Sequence, residues 1–321
     1  MRKVHLRPEA PERDLGEIAA LISGQEEFAQ SEQELLEDYQ KNETTRLQFQ
    51  VVEDTAGQFM GFSWAWRHWL HPDRADFYLV VKPEHRCKGA GSRLFDDLLA
   101  VLKTQGIKTL GTSVMEDSPE SLEFAKRRGF SEVRHGIHME LDLDVFADKP
   151  YDAVINRLKA EGFCFTTMEE LGNTDEAQRK LYTLNDTTQR STLGQTGDPA
   201  WASFEAFQKS VCGAEWYRPA GQIVAIDIAT GRWVAMSAIS CVGEADYAYN
   251  LFTGVDLAYR GRQLAQAVKV LALRYARSVL QVHSVQTDHN TKNLPMIAID
   301  RKLGYRKTWG KFLMEKKIDG D

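Results

Sequence analysis

The sequence predicts two mixed α/β domains in tandem, each a strongly twisted central sheet flanked by helices. Three observations carry this: a chain of 321 residues, a glycine-bearing strand–loop–helix pattern that occurs twice, and nearly equal spacing behind each copy. Such a length is long for one domain and comfortable for two. In the first copy, Val80-Val81-Lys82-Pro83-Glu84-His85-Arg86 runs into Gly89-Ala90-Gly91, and Leu94, Leu98, Leu99 and Leu102 follow on one helix face. In the second, Thr253-Gly254-Val255-Asp256-Leu257-Ala258-Tyr259-Arg260 runs into Gly261-Arg262-Gln263-Leu264-Ala265, with Leu264, Val268, Leu271 and Tyr275 on the helix face. A strand, a helix and a Gly-aromatic pair come next in both, Gly129-Phe130 and Gly304-Tyr305. The distance from arginine to that glycine is 43 positions in one copy and 44 in the other. Two independent loops rarely agree so closely, so the chain reads as a duplicated unit of ordinary domain size.

The elements follow in order. The first unit opens with a strand near Val4–Arg7, a helix over Pro11–Ile22 and a second over Ser31–Gln40. Strands are expected at Leu47–Val52 and Met60–Trp69, split by Asp54-Thr55-Ala56-Gly57, and at Asp76–Val81 before the glycine loop. Asp144–Tyr151, with Asp148-Lys149-Pro150, reads as the junction, giving domains 1–146 and 152–321 packed through it. The second unit adds a helix at Ala153–Ala160, then a strand at Phe163–Thr167 and a helix at Asp175–Leu184. A polar loop is expected over Asp186–Pro199, and strands at Gln222–Asp227, Arg232–Val242 and Tyr247–Val255.

Composition narrows the function. Hydrophobic residues make up 43% and charged residues 27%, enough for ordinary cores, and no apolar run reaches the roughly 18 residues that span a bilayer. Met1-Arg2-Lys3-Val4-His5-Leu6-Arg7 has charge without an apolar core behind it, so no signal peptide and a cytoplasmic location are expected. The net charge of −6 gives no reason to expect nucleic acid or anionic membrane partners, and slightly favours cationic acceptors such as amines. Cys87, Cys164, Cys212 and Cys241 are far apart with no C-x-x-C pair, which argues against structural zinc and a disulfide framework. His135 and His138, three apart on a strand, point to opposite faces and make no metal pair. Oligomeric state leaves no trace in the sequence.

Arg86-x-x-Gly89-x-Gly91 between a strand and a helix is a phosphate-binding design. Glycines let the backbone turn tightly and approach a ligand. The helix start offers unpaired N–H groups and partial positive charge to an anion, and Arg86 and Lys88 add formal charge. A dinucleotide fold is the nearest competitor. It needs G-x-G-x-x-G in the first strand–helix turn, whereas here two long antiparallel-looking strands come first and the third glycine is absent.

With these residues in view, both halves resemble the GCN5-related N-acetyltransferase (GNAT) superfamily, whose loop is [Q/R]-x-x-G-x-[G/A]. The first half matches with Arg86, Gly89 and Gly91; the second has Arg260 and Ala265, with Gln263 where glycine is usual. The second half also resembles a pattern in which T-G-V precedes R-G-x-x-L-A and T-x-N, N-x-x-M and L-G-[F/Y] follow. Here those segments read Thr253-Gly254-Val255, Arg260–Ala265, Thr287-Asp288-His289, Asn293-Leu294-Pro295-Met296 and Leu303-Gly304-Tyr305. The resemblance implies acetyl-coenzyme A as acyl donor, no metal, and direct attack by an amine held at the right distance and angle, with a base taking its proton. It implies cofactor contacts from Leu79, Val80, Val81, Arg86, Lys88, Gly89, Ala90, Gly91 and Ser92 in the first half. In the second half they come from Thr253, Val255, Arg260, Gly261, Arg262, Gln263, Leu264, Ala265 and Asn293.

The family's tyrosine acid, four residues before the Gly-aromatic pair, is Ala125 in one half and Asp300 in the other. Candidates for the base are Tyr249 and Asp246, with Tyr247 and Asn250 beside them, and Asp76 in the first half. His289 reads as locally hydrogen-bonded, Lys126-Arg127-Arg128 as a solvated face, and Trp64, Trp66 and Trp69 as packing. Trp201, Phe204, Phe207 and Trp216 either roof an acceptor pocket or fill the second core. The function expected is acetyl transfer to a primary amine of a small molecule, the fuller motif set favouring turnover in the second half. Two alternatives stand beside it: a non-catalytic acyl-coenzyme A binder, favoured by the absent tyrosines, and a mycothiol-synthase-like enzyme, disfavoured by Gln263.

Overall fold

The computed structural model describes residues 4–23, 31–68, 71–192, 201–241 and 245–318. Trp69, Val242 and the end of the expected Asp186–Pro199 loop lie outside them. Two compact units emerge: Met1–Arg134 with Lys311–Asp321, and His135–Gly310.

The first unit contains β1 (His5–Pro8), α1 (Pro11–Ser23), α2 (Glu32–Lys41), β2 (Arg46–Glu53), β3 (Phe59–Arg67) and β4 (Arg74–Val81). It continues with α3 (Ala90–Thr104), β5 (Thr109–Met115) and α4 (Pro119–Arg127), and then β6 (Ser131–Asp142) carries the chain into the second unit. There follow α5 (Asp152–Ala160), β7 (Phe163–Thr167), α6 (Asp175–Arg190), α7 (Phe204–Phe207), β8 (Gln222–Asp227) and β9 (Arg232–Ser240). The unit ends with β10 (Tyr247–Val255), α8 (Leu264–Tyr275), β11 (Ser284–Asn290) and α9 (Leu294–Leu303), and β12 (Arg306–Lys317) returns the chain to the first.

Strand order repeats: β1-β2-β3-β4-β5-β12 in one unit and β7-β8-β9-β10-β11-β6 in the other. Only β4–β5 and β10–β11 are parallel among these neighbours. The last strand of each repeat completes the other unit's sheet. β12 pairs with β5 from Lys311↔Met115 to Lys317↔Thr109, and β6 pairs with β11 from Gly136↔Asn290 to Asp142↔Ser284. The compact units therefore divide the chain elsewhere than at the expected junction. Asp144–Tyr151 is packed into the second unit, with Phe146 buried and Asp148 held by Arg274 at 2.7 Å and Arg277 at 2.8 Å. An unpaired strand edge accepts any strand of suitable alternation, so local sequence does not say which sheet a terminal strand joins.

Alternation on β3 puts Trp64 and Ala65 on opposite faces of the first sheet. Phe95, Leu98 and Leu102 of α3 build a core against Ala65, Phe77 and Leu110, Leu94 packs with Val52, Met60 and Val81, and Ile18 and Leu35 of α1 and α2 pack with Phe49, Phe62 and Trp64. Ser31 caps α2 through a reciprocal bond with Glu34, which sets where that helix starts. In the second unit α8 is buried nearly all round, from Leu264 to Val270 and at Ala272 and Leu273, so its sequence shows no single apolar stripe. Helix α6 runs six residues past the expected end at Leu184, because Asn185 and Thr188 are polar yet buried. Phe204 and Phe207 fill this core, with Trp201 packed against Phe207.

Candidate active site

In each unit the two parallel strands pair for three residues and then part. β4 meets β5 at Arg74↔Thr109, Ala75↔Leu110 and Asp76↔Gly111, and β10 meets β11 at Tyr247↔Ser284, Ala248↔Val285 and Tyr249↔Gln286. At the fork a threonine hydroxyl takes over the ladder. Thr112 Oγ1 donates to the Phe77 carbonyl and Thr287 Oγ1 to that of Asn250, both at 3.0 Å. Beyond it, among the described residues, the edge facing the slot has no strand partner for about 13 Å of β4 and about 16 Å of β10, at roughly 3.3 Å per residue. That edge carries Leu79, Val80 and Val81 in one unit, and Thr253 and Val255 in the other.

The second fork has a feature the first lacks. The β9–β10 register shifts between Asn250 and Phe252, a bulge that leaves Leu251 unpaired, whereas β3 and β4 stay in step from Gly61↔Val81 to Arg67↔Ala75. Asn250 props the bulge. Its Nδ2 donates to Ser237 Oγ at 3.0 Å and to the Ala238 carbonyl at 2.8 Å, and its Oδ1 accepts from Thr253 at 3.2 Å. Asn250 is thus a buried structural amide, not a proton acceptor. Gly254 is glycine because α6 crosses here: a Cβ would stand 2.4 Å from Thr188 Oγ1.

At the loops, Arg86 Nε donates to the Val81 carbonyl at 3.1 Å, and Arg260 Nε to that of Val255 at 3.2 Å. Each loop has a left-handed residue just after the arginine and another at the helix N-cap. The first uses Cys87 (φ 57°) and Gly89 (φ 93°); the second uses Gly261 (φ 79°) and Gln263 (φ 67°). The glycine has changed places while the backbone has kept its path. Gln263 therefore does not break the loop; it adopts the conformation for which glycine is ordinarily chosen. The first helical bonds, Arg93 N–H to Gly89 C=O and Ala267 N–H to Gln263 C=O, leave the amides of Ala90, Gly91 and Ser92, and of Leu264 and Ala265, at open helix starts. Lys88 Nζ bonds the Glu84 carbonyl within its own loop, Arg262 reaches Glu161, and Asn293 stands at the N-cap position of α9.

The expected bases are placed as follows. The Tyr249 hydroxyl donates to Asp288 Oδ2, and burial first, then that bond, pushes the phenol's pKa well up. A phenol kept protonated and already donating does not take up a proton, which corrects its expected role. Asp246 lies before β10, four residues or about 13 Å of strand from the fork, so the fold does not bring it to the slot. Asp76 stands at the first fork but accepts from Arg74 Nε at 3.1 Å and Nη2 at 2.9 Å, and Arg74 also pairs with Glu315. Asp288, which sequence reasoning passed over inside Thr287-Asp288-His289, is the exposed carboxylate at the second fork. Its signal was an acid on the strand beside Tyr249, readable only once the register was known.

Asp300 is not at the slot surface. It is fully buried, with Oδ1 2.5 Å from Lys269 Nζ and Oδ2 2.5 Å from His289 Nε2, and Lys269 is buried too. Burial alone pushes this carboxyl up, and Lys269 and His289 together pull it below the ordinary range. His289 is locally bonded as expected. Arg128 differs from a solvated face, its guanidinium lying 3.7 Å from the Phe124 ring centroid. His138 is buried, stacked on Trp309 at 4.7 Å and bonded to Thr308 and Gln286. Among the described residues no group of His, Cys, Asp and Glu could hold a metal ion, and no helix is long and apolar enough to cross a membrane.

Forked parallel strands, an open strand edge and a helix start behind a left-handed turn define an acyl-coenzyme A N-acyltransferase fold, present twice. Residues 15–130 match the acetyltransferase (GNAT) family. The whole chain is similar to a GCN5-related N-acetyltransferase from Sphaerobacter thermophilus, with a TM-score of 0.72 at 18% identity over 98% of this chain and 95% of that one. It is similar to a tandem GNAT protein from the clavulanic acid biosynthesis pathway, with a TM-score of 0.67 at 20% identity over 99% and 100%. A third relative in fold is the glucosamine N-acetyltransferase region of a fungal multi-domain β-N-acetylglucosaminidase, with a TM-score of 0.71 at 15% identity over 98% of this chain and 38% of that one. No curated protein matches the sequence. The chain has the fold of a tandem GNAT protein.

Proposed function

We propose that the second unit transfers an acetyl group from acetyl-coenzyme A to a primary amine of a small molecule, with Asp288 as the proton acceptor. The observation that carries this is the second fork. There the open edge of β10, its bulge, the start of α8 and the Tyr249–Asp288 pair stand together on two parted strands. Acetyl-coenzyme A in the slot supplies a thioester carbonyl and a thiolate that leaves readily. The open edge of β10 accepts an extended amide arm as an added strand would, and the amides at the α8 start receive a diphosphate. The Asp288 carboxylate holds the acceptor's ammonium and takes one proton, freeing the lone pair that attacks the thioester carbonyl; as the C–S bond breaks, the nitrogen's second proton passes to the departing thiolate. Tyr249 orients that carboxylate and keeps its own proton.

The first unit supports a second reading, that of a holder of acyl-coenzyme A without turnover. Its loop and fork are intact, but β4 has no bulge and the Asp76 carboxylate is engaged by Arg74.

Thiol release from acetyl-coenzyme A across a panel of amines tests both readings. Turnover with at least one amine is expected, lost in Ala265→Glu, kept in Gly89→Glu, and reduced about 100-fold or more in Asp288→Asn. Turnover that survives Ala265→Glu and dies in Gly89→Glu would move the chemistry to the first unit.

A further inference from the structure

We infer that Arg157, on α5, is a positioning residue that holds the second diphosphate loop in its binding shape where a glycine at 263 would otherwise do so. The inference rests on the acyl-carrier reading of that loop. A left-handed N-cap disfavours any residue with a Cβ, so Gln263 needs partners that exist only in this conformation. It has two. Arg157 Nη2 donates to Gln263 Oε1 at 3.0 Å, and Gln263 Nε2 donates to Gln266 Oε1 at 3.1 Å, Gln266 being buried within α8. The same Arg157 nitrogen reaches the Arg262 carbonyl at 3.4 Å, while Nη1 pairs with Glu161, whose other oxygen takes Arg262 Nη2 at 3.2 Å. Side chain and backbone of the loop are thus tied to one guanidinium.

That guanidinium sits on a fixed element. Ile155 and Leu158 bury α5 in the core, and Arg274 anchors its first turn at Asp152, 2.5 Å away. The first loop has no such brace among the described residues. Its N-cap is Gly89, and Lys88 bonds inside the loop. The helix that sequence analysis found ahead of Phe163–Thr167, an addition to the repeat, therefore has a use: it replaces the missing glycine by contact. Without Arg157 the Gln263 amide loses half its support, the N-cap relaxes, and the α8 amides no longer converge on one anion.

The test uses the full chain carrying Gly89→Glu, so that coenzyme A titrates the second loop alone. By calorimetry, Arg157→Ala is expected to weaken coenzyme A binding roughly tenfold, the scale of a left-handed penalty. Adding Gln263→Gly to Arg157→Ala is expected to restore most of it. Hydrogen exchange without coenzyme A, followed at the amides of Gln263–Ala265, is expected to speed up in Arg157→Ala and slow again in the double variant. Unchanged exchange in Arg157→Ala, or lost affinity that Gln263→Gly fails to recover, overturns the positioning role. If the parent binds no coenzyme A, the acyl-carrier reading falls, and the exchange arm still decides whether Arg157 holds the loop.

Discussion

The two units share strand order, fork, threonine latch and loop path, and differ in what each places on that frame. At the N-cap, the first has glycine at φ 93° and the second glutamine at φ 67°; one position after the arginine, the first has cysteine at φ 57° and the second glycine at φ 79°. At the fork, Asp76 of the first corresponds in register to Tyr249 of the second, and one is bound by an arginine while the other donates to the exposed Asp288 carboxylate. The fold conserves backbone conformation, and glycine is one of two ways to supply it. A loop judged by its glycines alone looks damaged in the second unit, although its helix start is as open as the first.

The exchange of terminal strands offers the hardest way to break the comparison. A fragment ending at residue 146 keeps the first repeat but loses Lys311–Lys317, the partner of β5, and leaves the strand at 136–142 without β11. It is expected to show no cooperative thermal transition by circular dichroism. Adding residues 306–321 back as a tethered strand is expected to recover one.

The buried Lys269–Asp300 pair of the second unit, where the first has Ala125 at the place of Asp300, comes next. Lys269→Met leaves Asp300 buried beside His289 alone and is expected to cost about 3–5 kcal/mol in urea unfolding. Replacing Asp300 by leucine as well should return much of that. The pH dependence follows from the lowered Asp300 pKa. Its contribution is fully present above the unfolded value, roughly 3.9, and is lost as pH falls through the lower folded value. The wild type should therefore lose stability below about pH 4 relative to the Lys269→Met, Asp300→Leu protein.

Smallest are the glycine exchanges. A Cβ at Gly261 meets nothing within 4 Å, so Gly261→Ala probes conformation alone and is expected to cost about 1 kcal/mol. Cys87→Gly at the matching place should gain no more than about 1 kcal/mol, since relief of the left-handed turn is offset by added freedom in the unfolded chain. Equal and opposite shifts in urea midpoint would sharpen the equivalence of the loops; no shift in either would blunt it.

Much of this frame was legible. Phe163–Thr167, Gln222–Asp227 and Tyr247–Val255 form strands over the stretches their alternation predicts, and both helix starts follow the expected loops. What escaped has physical causes. The end of α6 was hidden because Asn185 and Thr188 are buried polar residues, Asn185 accepting from Trp201 and Thr188 pressed on Gly254. Sheet membership of β6 and β12 depends on pairing across the whole length of the chain, which no local pattern reports. Asp288 gained its place only through the register of β10 on β11, and Asp300 was readable as a missing tyrosine but not as an ion pair closed by Lys269.

The central claim is that both loops present the same anion-binding helix start, one through glycine and one through a braced glutamine. Titrating the intact protein with coenzyme A by calorimetry tests it most directly. Two sites per chain are expected, falling to one in Gly89→Glu and to one in Ala265→Glu. A single site that Ala265→Glu leaves untouched would contradict it, because the second loop would then bind nothing.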